Sequence, residues 1–273
     1  MSWLRHASAP AVLSIAMLVG GCASDRSQPL RIDPVVVEPR PVSEPQAQAA
    51  EAAPTSTTVR TPDPSWASPF PGIRIDTARQ VVEFEARVSP LIDPSGEDTT
   101  FYLEQIVCLA GTKDHESLLI TDVRPSHVHA SLLLIGLEPG APVTWAYPGG
   151  TPTMQAPTGP TLSVELFVTD DEDRTTPLPP THWAVERETG RPFDVGGTWV
   201  FAGSTERSTA GRTFYEADAA GTLLGLASFG SETIAFSAPI SHEEDDGQLR
   251  WVADEAAMPA PDTRVVVRLA PAM

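Results

Sequence analysis

The chain has 273 residues, with 18 basic against 36 acidic side chains, a formal net charge of −18, 28 prolines and two cysteines. So acidic a surface repels phosphate backbones, which sets nucleic-acid binding aside. An iron–sulfur cluster needs four cysteine ligands, more than the chain holds.

The N-terminus reads as an export signal. Arg5 and His6 precede an apolar run from Ala7 to Val19, which closes on Leu18-Val19-Gly20-Gly21-Cys22. A basic start, a short apolar core and small residues before a cut define such a signal over residues 1–21. A cysteine directly after those small residues resembles the bacterial lipobox, in which Cys22 is acylated after cleavage. The run falls short of the ~20 residues that a spanning helix needs. The expectation is therefore a protein exported and held to a bacterial membrane by lipid on Cys22.

Residues 22–68 change character. Pro29, Pro34, Pro39, Pro41, Pro45, Pro54, Pro62 and Pro64 punctuate a tract of small and polar residues with no period of 2 or 3.6. Such a segment buries too little apolar surface to offset its conformational entropy, which predicts a disordered tether.

Residues 69–273 suffice for one globular domain with a sizeable core. Val82, Phe84, Ala86 and Val88 alternate with polar neighbours. Leu162, Val164, Leu166 and Val168 also follow period 2, as do Val265, Val267 and Leu269. Period 2 with one dry face is the antiparallel habit. Residues 101–110 are apolar enough for a central strand, and shorter strands are expected at 117–121, 198–202, 214–216, 223–229 and 249–252. Arg124-Pro125-Ser126 starts a helix, since proline suits the first turn, and Pro139-Gly140 is expected to stop it. Apolar residues on nearly every side of this segment predict a buried helix over about 125–137, with Leu133 and Leu134 in the core. The fold class is α+β, dominated by mostly antiparallel sheets, with that one main helix.

The loops Asp170-Asp171-Glu172-Asp173 and Glu243-Glu244-Asp245-Asp246-Gly247 lack the spaced ligands of an EF-hand and read as solvated. Cys108, inside an apolar strand, reads as a buried and inert thiol.

The residues with chemical potential gather between positions 113 and 129. Lys113, the sole lysine of the chain, opens a polar turn with His115 and Glu116, and Arg124, His127 and His129 surround the helix start. Together the six form a candidate ligand or anion site, since helix N-termini favour negative charge. His127 and His129 stand about 200° apart around a helix and cannot share one metal. His115, Glu116 and His129 could instead hold zinc with an open position. The competing reading is a structural cluster in which these groups satisfy one another. No nucleophile elbow, phosphate loop or dinucleotide fingerprint is present.

The Lys-x-His-Glu-Ser turn, the Arg-Pro-Ser-x-x-His-Ala helix start and the Leu-Leu-Leu-x-Gly-Leu-x-Pro-Gly ending resemble the YdjY-domain family. Trp199-Val200-Phe201-Ala202-Gly203-Ser204 and Asp218-Ala219-Ala220-Gly221 are similar to that family's second half, so the resemblance spans about residues 70–271. It implies a family label and no established activity. The leading expectation is a lipid-anchored envelope protein with a non-enzymatic domain that binds a ligand or partner and requires no cofactor. A metal-dependent envelope enzyme and a structural or assembly lipoprotein are the alternatives.

Overall fold

A computed structural model describes residues 65–92, 101–146, 153–169, 175–242, 249–254 and 256–272. The signal segment, Cys22, all but the last four residues of the tether and both acidic loops lie outside the described residues. Ala67 already pairs with Ile75, so the folded part begins before residue 69.

The first half contains β1 (Ile73–Asp76), β2 (Val81–Val88), β3 (Gln105–Leu109), β4 (Ser117–Thr121), helix α1 (Pro125–Leu134), β5 (Thr144–Ala146) and β6 (Thr153–Gln155). After these come β7 (Thr161–Thr169), β8 (Thr175–Leu178), β9 (Ala184–Glu186), β10 (Trp199–Phe201), β11 (Glu206–Thr209) and β12 (Arg212–Tyr215). The chain continues through α2 (Glu216–Ala220), β13 (Thr222–Gly225), β14 (Ile234–Phe236), β15 (Trp251–Ala253) and β16 (Arg264–Pro271).

Strands β2, β16, β7, β10, β14, β13, β3 and β4 pair in that order, and β4 returns to β2 through Ile120–Arg87 and Leu119–Val88. The result is a closed eight-stranded barrel, which leaves these strands no free ladder. This corrects the expectation of mostly antiparallel sheets in two ways. The sheet closes, and the β3–β4 and β13–β14 joins are parallel. Parallel neighbours normally need a long crossover, often a helix. Here the short segments 110–116 and 226–233 return the chain instead, a connection that period-2 patterns do not announce.

The alternation itself holds. Register brings Val82, Leu269 and Val164 level with one another, then Phe84, Val267 and Leu166, then Ala86, Val265 and Val168. These layers fill the interior, and all but the partly buried Val168 are buried. The intervening side chains make a charged ladder on the outer face, where Glu83 pairs with both Arg74 and Arg268.

Helix α1 departs from expectation at its end and on its outer face. Gly136, at φ +90°, takes the left-handed conformation that stops the helix. The amide of Gly136 donates to Leu133 O and that of Leu137 to Leu132 O, which satisfies the terminal carbonyls three residues before the expected stop. Val128, Leu132 and Ile135 enter the barrel core, whereas Leu133 is 46% and Leu134 54% exposed. The helix is therefore half-buried. An apolar composition on every side says nothing about which side a neighbour covers.

Candidate functional site

The polar turn is a short 3-10 helix, Asp114–Glu116, leading into β4. Asp114 organises it by accepting the amides of Gly111 and Thr112. Lys113 Nζ lies 2.6 Å from Glu104 Oε2 and 3.1 Å from Glu116 Oε2. His115 Nε2 lies 3.2 Å from Glu116 Oε1, and the His115 ring meets Phe101 edge-on. The ammonium group also sits 4.2 Å from the ring centre of Phe229, in the second crossover. Glu104, just ahead of β3, joins the two crossovers by its backbone as well. Its amide donates to Glu116 O, and its carbonyl accepts from Leu226 and Ala227.

This crowding sets the charges. Burial and the neighbouring Glu116 push the Glu104 carboxyl up to about 7, against the pull of Lys113. Burial opposes ionisation of Glu116 too, but hydrogen bonds from Glu104 and Lys113 outweigh it and hold its carboxyl below the ordinary range. Burial works against the Lys113 ammonium, and the two glutamates more than compensate. The cluster thus favours one proton on the glutamate pair beside one permanent cation. Nearby Glu232 is fully buried and accepts the amides of Phe229 and Gly230; burial raises its carboxyl despite those bonds.

The helix-start residues occupy other surroundings. Arg124 is the exposed N-cap of α1 and makes no side-chain cap. His127 stacks on Phe70 at 4.3 Å. His129 packs edge-on against Phe201 and Tyr215, with Nδ1 2.9 Å from the Tyr215 hydroxyl. That hydroxyl donates to Gly203 O at 3.0 Å, so His129 is the donor to the phenol oxygen. Burial pushes the His129 imidazole below its usual value, which keeps it neutral near pH 7. The cap that α1 lacks locally comes from Asp218, whose two carboxylate oxygens accept the Ser126 amide at 2.8 Å and the Ser126 hydroxyl at 2.7 Å. The Arg-Pro-Ser and Asp-Ala-Ala-Gly motifs are therefore two halves of one helix cap. Asp218→Ala should lower stability by about 1–2 kcal/mol, measurable by urea denaturation. Asp218→Asn, which keeps an acceptor, should lose less.

The structure therefore unites Lys113, His115 and Glu116 and separates them from Arg124, His127 and His129. The turn precedes β4 and the helix follows it, and five strand residues span about 13–16 Å at ~3.3 Å each. His115 and Glu116 contact Phe101, Lys113 and each other, whereas His129 contacts Phe201 and Tyr215. Among the described residues no group of three or more His, Cys, Asp or Glu is placed to hold a metal. Cys108 is buried, and burial raises its thiol, the condition of an unreactive cysteine. Sequence reasoning missed Glu104, Tyr215 and Asp218. Glu104 had a visible signal, a lone charge within an apolar strand segment.

Two clefts lie elsewhere, on the outer face of β2 and β16. A cleft of about 540 Å³ lies between Pro71 and Val123 on one side and Phe167 on the other, above Val266. A second, of about 380 Å³, shares Pro71, Gly72, Glu85 and Val266 and continues toward Phe70 and Arg74. Gly72 makes this wall possible. It holds φ +71°, and a Cβ there would come within 2.8 Å of Val123 Cγ2. Its carbonyl accepts the Glu85 amide at 3.0 Å, fixing the wall to β2. Glu85, Arg87, Asp122 and Arg264 supply the charge of the first cleft.

Compared with known proteins, the chain matches one family model, described as the YdjY domain, over residues 73–270. No curated protein and no solved structure matches it.

Proposed function

This chain belongs to the YdjY domain family, and from that premise we propose that it is a lipid-anchored bacterial envelope protein whose barrel domain binds a partner and performs no chemistry of its own. The observation that best supports binding is the groove on the outer face of β2 and β16, on a barrel whose interior is packed. The groups best suited to acid–base chemistry, Glu104, Lys113, Glu116 and His115, hydrogen-bond to one another. That arrangement favours a structural tie between the two crossovers over a catalytic centre. The anchor rests on Leu18-Val19-Gly20-Gly21-Cys22, where small residues close an apolar run just before a cysteine.

Cys22→Ala should release the protein from membranes or block its maturation, as read by detergent partitioning and by size. Unchanged partitioning and size would remove the anchor. For binding, a photo-crosslinking phenylalanine analogue in place of Phe167 should give a discrete adduct in the native envelope. The same analogue at Phe214, on the separate β11–β12 hairpin, should not. An adduct pattern common to both positions, or none at Phe167, would refute a partner in this groove.

A further inference from the structure

We propose that the groove receives an extended, proline-containing polypeptide segment carrying one basic and one acidic side chain three residues apart. This rests on the partner-binding reading above and names the chemistry of that partner.

The charges of the groove are unevenly satisfied. Arg87 pairs with Asp122 at 3.1 Å and with Asp262 at 3.3 Å. Glu85 and Arg264 line the same cleft, and neither makes an ion pair, with each other or with any described residue. Their spacing is set by register. Glu85 stands opposite Val266, and Arg264 opposite Arg87, so the two occupy diagonal positions on one face of neighbouring antiparallel strands. Diagonal Cα atoms of that kind lie about 7–8 Å apart. A ligand that satisfies both must present a cation and an anion at a similar separation, with an apolar surface between them for Pro71, Phe167 and Val266.

The backbone decides how such a segment can bind. Along one edge β2 is paired with β16, and along the other with β1 and then β4. Strand β16 is flanked by β2 and β7. Neither β2 nor β16 leaves a ladder free for a peptide to join as an added strand, so recognition over these two strands runs from side chain to side chain. A polyproline helix suits that mode because its backbone needs no internal or borrowed hydrogen bonds. Its three-residue repeat puts side chains on the same side about 9 Å apart, close to the spacing of Glu85 and Arg264. The net charge of −18 further favours a segment from a basic partner.

The test uses the full-length chain in detergent and a fluorescein-labelled peptide containing Arg-Pro-Pro-Glu, with Gln-Pro-Pro-Glu and Arg-Pro-Pro-Gln as controls, followed by anisotropy. Glu85→Gln should weaken the Arg-Pro-Pro-Glu probe by about 2–5-fold, as expected for an exposed ion pair, and leave the Gln-Pro-Pro-Glu control unchanged. Arg264→Gln should weaken the same probe and leave the Arg-Pro-Pro-Gln control unchanged. Both substitutions fall on exposed side chains, and an unchanged melting temperature would verify the fold. Equal weakening of every peptide by each variant, or no effect of either, would overturn the proposed charge pattern. So would failure of all three peptides to bind while Phe167 still crosslinks a partner, a result that would leave the binding reading intact. Loss of both signals would end that reading as well.

Discussion

Leu132→Ala should destabilise the domain by about 2–5 kcal/mol, whereas Leu133→Ala and Leu134→Ala should each cost less than about 1 kcal/mol. The three residues are consecutive, chemically identical and share one helix, so propensity cannot separate them. Leu132 is fully buried in the barrel cluster with Val128 and Ile135, and its truncation leaves a cavity that packed neighbours cannot refill. Leu133 and Leu134 face outward and are about half exposed. Urea denaturation of the three variants gives the comparison directly. Equal losses at all three positions would mean that the outer face of α1 is covered after all.

The second large effect belongs to the Lys113 cluster. Lys113→Met should cost on the order of 2–3 kcal/mol near pH 7, because it strands two mostly buried carboxylates without their cation. The cost should shrink toward pH 5, where one glutamate carries a proton. The sign in the wild type follows from the two shifts. Glu104 is raised from 4.5 to about 7 in the folded state, so its contribution is complete below 4.5 and is lost as pH rises through 7. Glu116 is lowered, so its contribution is present above 4.5 and disappears as pH falls through its folded value. The cluster should therefore support the fold best in mildly acidic solution. Glu104→Gln imitates the protonated partner and should flatten the decline between about pH 5 and 7.5. An identical decline in wild type and variant would assign the pH dependence to other groups.

Much of this domain was legible in the residues. The period-2 segments around Phe84, Leu166 and Val267 became neighbouring barrel strands with the expected faces buried, because alternation reports directly which side of a strand is dry. Strand β4 falls at residues 117–121 as expected, and Pro125 opens α1. The family label, carried by short motifs, holds over residues 73–270. Lys113, His115 and Glu116 were adjacent in the chain and remain together in space.

What the chain could not declare is what depends on partners distant in sequence. Closure required Leu119 and Ile120 to meet Val88 and Arg87, and nothing in either segment encodes the other. The burial of Leu132 and the exposure of Leu133 were decided by where the barrel lies relative to α1, since three consecutive leucines look alike from within the helix. Glu104 turned from a lone charge in an apolar strand into the proton-sharing partner of Glu116 only when two crossovers folded back on one another. The same length of β4 that joins the polar turn to α1 also keeps His115 and His129 apart. Local pattern thus determined the elements, their dry faces and the family. Register and closure, which are long-range properties of the folded chain, determined which of the polar residues became neighbours.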